Sequence, residues 1–315
     1  MKKNSVKRKS IAKGSQERER LIFYITMSAL PLAIVLLFYV YVNIQSFTMA
    51  FQKFDYLTGF ESAGFSNFVQ VFNDLRSEEI LITSLITSLE LFVWTFVFSA
   101  MLSVFFSYYI YKKFPASGAF KVILYLPQIV SGLVFALMFK YFMDEALPEL
   151  IKLITGAENT VKGFVSNEQT AKVCAIVFTV WVSFGTNVLM YTSAMSAISP
   201  SIIESAELEG VKPMQELWYI VVPSIWPTFV TFMLTTVIGI FTNQMSLFAI
   251  YGVHANLFAK TSTFGYYLYV ETLHAQEEFI RFPYLSAMGL ILTLVAVPLT
   301  LITRYVMNKL GPKVV

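Results

Sequence analysis

Ionisable and amide side chains that interrupt long apolar runs are the first candidates for binding chemistry in this chain of 315 residues. Glu90 is an acid inside one such run. A carboxylate within a membrane costs about 2.5–3.5 kcal/mol on insertion scales, so it either faces a cavity or pairs with a neighbouring helix. The sequence leaves both interpretations of Glu90 open. The amides in comparable positions are Gln128, Asn187, Asn243 and Gln244.

Residue types that usually carry catalysis or bind metals do not form a recognisable pattern. Cys174 is the single cysteine and has no Cys or His at metal-ligand spacing, so we expect it to pack in an apolar environment. The two histidines, His254 and His274, lie in an unpatterned loop. The chain has neither a phosphate-binding Gly-x-x-x-x-Gly-Lys-Ser/Thr loop nor a His-Glu-x-x-His motif. We therefore expect no catalytic residue, no metal site and no ATP hydrolysis by this chain alone.

A polar stretch between two apolar runs predicts a short helix followed by a turn. Ser201 and Glu204 have the spacing of a capping box, Pro200 suits the start of a helix, and Gly210 suits a left-handed stop. Ala206 lies four residues before Gly210 and therefore on the same face, where another backbone can approach closely. A second helical piece is predicted from Pro213 toward Ile220, ending at Pro223. We call the two predicted helical pieces and the turn between them the elbow. Their capping and spacing are also compatible with a helical hairpin at the membrane surface whose acidic face is solvated.

The elements around these residues are predicted to be membrane-spanning helices. Hydrophobic residues make up 56% of the chain and charged residues 14%, which argues against a soluble domain. A bilayer is crossed by about 20 mostly apolar residues in a helix. Six stretches qualify, so we predict an all-α integral membrane protein with the elbow between its fourth and fifth spans. The stretches are Leu21–Ile44, Leu81–Ile110, Val122–Phe142, Val173–Met195, Ile225–Tyr251 and Tyr284–Tyr305.

The distribution of charge predicts the orientation of these spans. Eight basic residues precede the first span, and basic flanks are retained in the cytoplasm, so we place both termini inside in a bacterial cell membrane. The net charge of +3 is too small to indicate nucleic-acid binding. Lys140 is expected to reach the interface from the end of its span. We predict a basic leader over 1–20, a six-span domain over 21–310 with the loop at 199–223, and a tail over 311–315.

The loop resembles the cytoplasmic motif of the membrane-spanning subunits of binding-protein-dependent ABC importers. That motif is Glu-Ala-Ala, three residues, Gly, nine residues, Ile, one residue and Leu-Pro. This chain has Glu204-Ser205-Ala206, Gly210, Ile220 and Val222-Pro223, with every interval kept and substitutions at Ser205 and Val222.

Softer matches resemble the branch that includes glycerol-phosphate, lactose and multiple-sugar permeases. They lie at 64–68, 124–131, 262–269 and 284–288, whereas Gly252–Asn256 stands where the family usually has Gly-Gly-Pro.

The resemblance implies the function and partners of the chain. Two homologous permease subunits would form the substrate path, two cytoplasmic ATPase subunits would bind ATP and Mg, and an extracellular binding protein would deliver a carbohydrate, with an oligosaccharide favoured. Loop residues Glu204, Ser205, Ala206, Gly210, Ile220 and Pro223 would couple the path to the ATPase. Amides and aromatic faces bind sugars, so the candidate platforms for a sugar ring are Trp181, Phe184, Tyr191 and Phe241. The candidate polar contacts are Glu90, Gln128, Asn187, Asn243 and Gln244. Asn243 and Gln244 are favoured.

Three other functions are compatible with parts of the sequence. A secondary transporter would be expected to show paired intramembrane acids or inverted repeats, and only Glu90 is evident. A membrane enzyme would need a polar catalytic cluster, which the sequence does not display. Import of amino acids or peptides by the same ABC machinery differs only in a few pocket residues and in the binding protein.

Overall fold

The computed structural model describes residues 2–156, 163–244, 247–252, 261–276 and 279–312, with side chains from residue 17 onward. His254, Glu158, Glu277, Glu278, Lys313 and most of the 252–256 segment lie outside the described residues. Nearly all of the described chain is helical. The exception is an antiparallel hairpin, β1 (Gln52–Asp55) and β2 (Gly59–Ser62), which the all-helical prediction did not include.

Helix α1 is long and exposes its apolar side chains along its length. It comprises Lys2–Ile34, a π-helical segment Val35–Val40, and Tyr41–Met49. The part Glu17–Met49 is apolar enough to span a membrane, and its most apolar window has no buried residue. Such a surface is compatible with lipid or with a second protein chain, but not with water.

Helices α2 (Ser66–Ser77) and α3 follow the hairpin. Helix α3 comprises Glu79–Trp94, a π-helical segment Thr95–Ala100, and Met101–Tyr111. Helix α6 (Ala171–Ser196) packs beside α3 and runs in the same direction, since Glu90 pairs with Lys172 near one end and Ser107 donates to the Val188 carbonyl at 3.1 Å near the other. Serines at 99, 103 and 107 are fully buried in this contact. Small residues at four-residue spacing let two helices approach closely in a membrane.

The predicted third span, Val122–Phe142, is broken in the structure. Helix α4 (Ser117–Ile129) is followed after two residues by α5, which starts at Gly132 and continues to Thr155, and the two axes differ by 106°. Pro127 cannot donate the backbone hydrogen bond of a continuous helix, and Val130 and Ser131 are extended. Lys140 lies on α5, and its Nζ donates to the carbonyl of Ile250 at 3.1 Å.

The predicted fifth span, Ile225–Tyr251, is wrong at both ends. Helix α8 runs without a break from Pro213 to Thr242, through a π-helical segment Leu217–Val221. Pro223 therefore does not end a separate piece, because it lies in the first turn after that segment, where helix geometry accommodates it. The helix stops at Asn243, which is extended, and the short helix α9 (Leu247–Tyr251) is separate.

The remaining helices complete the bundle. The short helix α7 (Pro200–Leu208) precedes α8; helix α10 (Phe264–His274) and a 3₁₀ turn Phe279–Arg281 precede α11 (Phe282–Leu310). Five helices among the described residues are long and apolar enough to cross a membrane, or six if the bent pair α4–α5 counts as one span. We call the end with the β-hairpin the hairpin end, and the end with α7 the loop end.

Candidate functional site: a helical loop and a polar cavity

Helix α7 is a short, well-terminated helix at the loop end. It begins at Pro200 after Ser199, whose backbone is extended. The predicted capping box is wrong in detail, because the Ser201 side chain hydrogen-bonds with the Ser199 hydroxyl at 2.9 Å and no side chain caps the helix. Gly210 adopts the predicted left-handed conformation, with φ of +74°. The Gly210 and Val211 amides donate to the carbonyls of Glu207 and Ala206, the paired bonds that close a helix end.

The two faces of α7 differ sharply in burial. Ile203 and Ala206 face the bundle and are buried, whereas Glu204 and Ser205 are exposed. Leu208 is 90% exposed on a polar helix. Leu208 therefore offers an apolar contact point on the surface of α7, beside the exposed acids Glu207 and Glu209.

The turn after α7 leads directly into α8. The backbone amide of Lys212 donates to Gln215 Oε1 at 3.0 Å, which fixes the start of α8 at Pro213. Ile220 and Pro223 lie along α8, half-buried, rather than on a second short helix. Any displacement of α7 therefore acts on the first turn of a long helix.

A cavity of about 290 Å³ lies between α3, α6 and α8. Apolar atoms make up most of its wall, and we call it the polar cavity for the hydroxyl and amide groups set into that wall. Hydroxyl, amide and aromatic side chains contribute most of its lining, and no acidic or basic residue is among the described residues that line it. The polar lining comes from Thr95, Thr179, Ser183, Thr186, Asn187, Thr235, Thr236 and Asn243, and the aromatic lining from Phe96, Tyr191, Phe229 and Phe232.

Two departures from regular helix geometry shape the cavity, one within α3 and one at the end of α8. The π-helical segment of α3 begins at Thr95 and carries Phe96 and Ala100 into the lining. Such wide turns within α-helices recur at functional sites because they reposition side chains. The end of α8 places Asn243 at the cavity margin, where its carbonyl accepts a hydrogen bond from Thr263. Gly265 lies so close to the Asn243 backbone that a Cβ atom there would be 2.7 Å from it.

Three of the seven predicted path residues line the cavity. Asn187 donates to the Ser99 hydroxyl at 3.0 Å and faces the space, as does Asn243. Tyr191 is almost fully buried and packs with Phe229 and Phe232.

The other four path residues lie elsewhere. Glu90 forms an ion pair with Lys172 on α6, which supports the helix-pairing interpretation. Gln128 donates to the Val182 carbonyl at 2.9 Å beside the α4–α5 break. Trp181 packs edge-on against Phe135, and Gln244 does not line the cavity. The proposed platforms Phe184 and Phe241 are core residues.

Comparison with known proteins identifies the family. Residues 99–315 match the model of the binding-protein-dependent transport system inner membrane component. This chain belongs to that family.

Relatives of this permease include sugar transporters. It is 25% identical over 274 residues to the arabinooligosaccharides transport system permease AraP of Bacillus subtilis, covering 85% of this chain and 83% of that one. It is 28% identical over 187 residues to a probable ABC transporter permease of Mycoplasma pneumoniae, covering 57% of this chain and 55% of the relative. The chain thus spans about half the length of that relative.

The fold of this permease also matches a solved transporter. A crystal structure of a bacterial ABC transporter that imports the acidic polysaccharide alginate superimposes with a TM-score of 0.74 at 18% identity, over 94% of this chain and 98% of that one. A second structure of the alginate transporter, in complex with alginate pentasaccharide-bound periplasmic protein, gives 0.73. At this identity the match establishes the fold.

Sequence reasoning missed most of the residues that line the cavity of this permease. The threonines and serines on α3, α6 and α8 do not stand out in the sequence, because hydroxyl residues are common in membrane helices, where they bond to their own backbone. Thr236, for example, donates to the Phe232 carbonyl at 2.9 Å. The one available signal was the four-residue spacing of Ser99, Ser103 and Ser107, which marks the face of α3 turned toward α6.

Proposed function

We propose that this permease forms half of the path of an ATP-driven carbohydrate importer in a bacterial cell membrane. A second homologous permease would form the other half, two ATPase subunits would bind ATP and Mg at the loop end, and a binding protein would deliver the sugar at the hairpin end. This chain would bind no cofactor and catalyse no reaction. Both termini would be cytoplasmic, as the basic residues before α1 favour.

The observation that carries this proposal is the exposed face of α7. A rigid helix with a 90% exposed Leu208 beside exposed acids is suited to a groove on a partner with complementary basic residues. Residues Glu204, Ser205, Ala206, Gly210, Ile220 and Pro223 would form or support this contact.

The polar cavity is suited to a sugar ring. Hydroxyl and amide groups exchange hydrogen bonds with sugar hydroxyls, and aromatic rings pack against the apolar faces of the ring. Asn187, Tyr191 and Asn243 would contact the substrate from this half of the path. The uncharged lining favours a neutral sugar over a uronate, because a buried carboxylate needs a cationic partner.

The hairpin end offers a surface of mixed charge for the binding protein. A cleft of about 730 Å³ there is lined by side chains from β1, α2, α10 and α11, with both acids and bases. Arg281 pairs with Glu271, and the Tyr284 hydroxyl donates to Asp74 at 2.8 Å. Charges of both signs on such a rim contribute to the rate and specificity of association.

The test is co-purification from detergent-solubilised membranes of cells that express the candidate partners. We expect the wild-type chain to retain the ATPase subunits, and binding protein plus maltodextrins or arabino-oligosaccharides to stimulate ATP hydrolysis. Leu208→Ser should lower ATPase retention by about tenfold, because an interface anchor contributes 1–2 kcal/mol or more. The matched control is Leu153→Ser, since Leu153 is 80% exposed but lies on α5.

Two other results of the uptake measurements would change the proposed energy source or the proposed substrate. Uptake that persists without ATP and collapses with the ion gradient would support a secondary transporter and contradict the proposal. ATP-dependent uptake of amino acids or peptides, but not of sugars, would keep the importer and replace its substrate.

A further inference from the structure

Lys112 joins three separate parts of the chain at the loop end. It lies in the turn after α3, and its Nζ is 2.9 Å from Glu207 Oε1 on α7 and 3.1 Å from Glu216 Oε2 in the first turn of α8. We call these three residues the Lys112 bridge. The sequence separations are 95 and 104 residues, so no local pattern produces it.

The inner half of the bridge is buried. Glu216 is only 2% exposed, and the charged part of Lys112 is largely covered. A buried carboxylate is stable only with a partner, and this one also benefits from its position at a helix N-terminus. Burial alone would lower the pKa of Lys112, but its hydrogen bonds to Glu207 and Glu216 outweigh that effect and raise the pKa above its ordinary value. Lys112 therefore stays charged and stays paired.

The outer half of the bridge is the part that reaches α7. Glu207 is exposed, so its bond to Lys112 contributes little to folding, typically no more than a surface ion pair. The position of this bond nevertheless determines which helices are connected to α7. The covalent chain connects α7 to α6 through residues 197–199 and to α8 through Gly210 and Lys212, whereas the bridge adds a direct connection to the end of α3.

We propose that the Lys112 bridge is the link that makes α3 move together with α8 when α7 is displaced. Both long helices line the polar cavity, α3 through Thr95 and Phe96, and α8 through Phe232 and Asn243. Through the covalent chain alone, a movement of α7 would act on α6 and α8. The bridge applies the same movement to the end of α3, so that all three helices around the cavity respond in one step. Lys112 is thus a positioning residue for energy coupling, an inference that rests on the proposed function.

The test uses the complete transporter in proteoliposomes, with sugar uptake and ATP hydrolysis measured in parallel. Lys112→Met keeps the aliphatic stem and removes the charge. We expect it to retain its ATPase subunits while the ATP hydrolysed per sugar transported rises about fivefold or more, within the range of allosteric coupling free energies. Lys112→Arg should restore the wild-type ratio, since it can reach both carboxylates. The matched control is Lys113→Met, because Lys113 is the exposed neighbour in the same turn.

A second pair of variants covers the case in which Lys112→Met does not assemble. Glu207→Met removes the outer acceptor, leaves the buried Lys112–Glu216 pair intact and should raise the ratio in the same way. Lys112→Met with Glu216→Leu replaces both buried charges by apolar groups, a change that proteins often tolerate, and should assemble but remain uncoupled.

A wild-type ratio in Glu207→Met or in the assembled double variant would overturn the inference, as would an equal effect of Lys113→Met. A wild-type complex that imports none of the maltodextrins or arabino-oligosaccharides would instead count against the proposed function.

Discussion

The helical loop, by which we mean α7 and the turn that leads into α8, is built from residues close together in the sequence. The polar cavity is built from residues far apart in the sequence. Helix α7 is one continuous segment whose start, stop and exposed face come from residues within a dozen positions of one another. The cavity is lined by three helices that are far apart in sequence, and its polar groups are neutral hydroxyls and amides. The loop therefore depends on a few particular residues, whereas the cavity depends on the relative positions of helices. Substitutions at key positions of the loop should accordingly have larger effects than substitutions in the cavity.

The largest effect is expected at Gly210. Asp at this position would have to adopt φ near +74° and would add an acid beside Glu207 and Glu209. The left-handed conformation costs a non-glycine residue about 1 kcal/mol or more, and the added charge disfavours an acidic surface that binds a basic groove. We expect Gly210→Asp to abolish transport and ATPase docking with membrane insertion intact, as measured by co-purification and uptake.

Gly118→Asp is the control for this change, since Gly118 is exposed at the start of α4 and has an ordinary φ. Normal co-purification of the Gly210 variant with its ATPase would contradict the role assigned to the loop.

An intermediate effect is expected from a pair of adjacent residues at the cavity margin. Asn243 lines the cavity and Gln244 does not, although both are amides at the end of α8. Loss of one substrate hydrogen bond should raise the KM of Asn243→Ala about fivefold, equivalent to about 1 kcal/mol. Gln244→Ala should remain within a factor of two of wild type. Uptake kinetics at saturating ATP distinguish them, and equal effects of the two substitutions would show that the cavity is not the path.

A small effect is expected at Glu90, which lies outside the cavity. Its bond to Lys172 is half-exposed, so Glu90→Gln should change stability by less than about 1 kcal/mol and leave sugar uptake near wild type. Thermal unfolding in detergent and uptake at low sugar concentration measure the two quantities. A strong loss of uptake without a loss of stability would return Glu90 to the substrate path and weaken the contrast between the two regions.

The smallest effect is expected from pH on the Lys112 bridge. The folded pKa of Lys112 is raised, so its contribution to stability is complete below the unfolded value of 10.5 and is lost only as the pH rises through the higher folded value. The ATP consumed per sugar should therefore stay constant from neutral pH to about pH 9, as far as this group determines it. A rise of this ratio with pH in the wild type within that range, with no pH dependence in Lys112→Met, would contradict the raised pKa of Lys112.

Local patterns in the sequence predicted the elements that local forces produce. Four of the six expected spans agree with helices of the structure to within a few residues, because apolar length alone sets them. The left-handed Gly210 was predicted for a similar reason: a helix that must stop abruptly favours the residue without a Cβ atom. The two spans that differ contain Pro127 and Asn243 near their breaks. There the hydropathy stays high while the backbone changes direction, so a hydropathy criterion could not detect the change.

The sequence by itself determined a membrane protein with a short helix that stops at a left-handed glycine between its fourth and fifth apolar runs, since these features depend on composition and short-range spacing. Only the tertiary structure decided which polar residues share a cavity, why Glu90 belongs with Lys172, and how Lys112 reaches two acids about a hundred residues away. The physical reason is that hydrogen bonds and ion pairs between helices depend on how the helices pack. That packing is set by shape and by small residues such as Ser103 and Ser107, whose role is invisible until the neighbouring helix is in place.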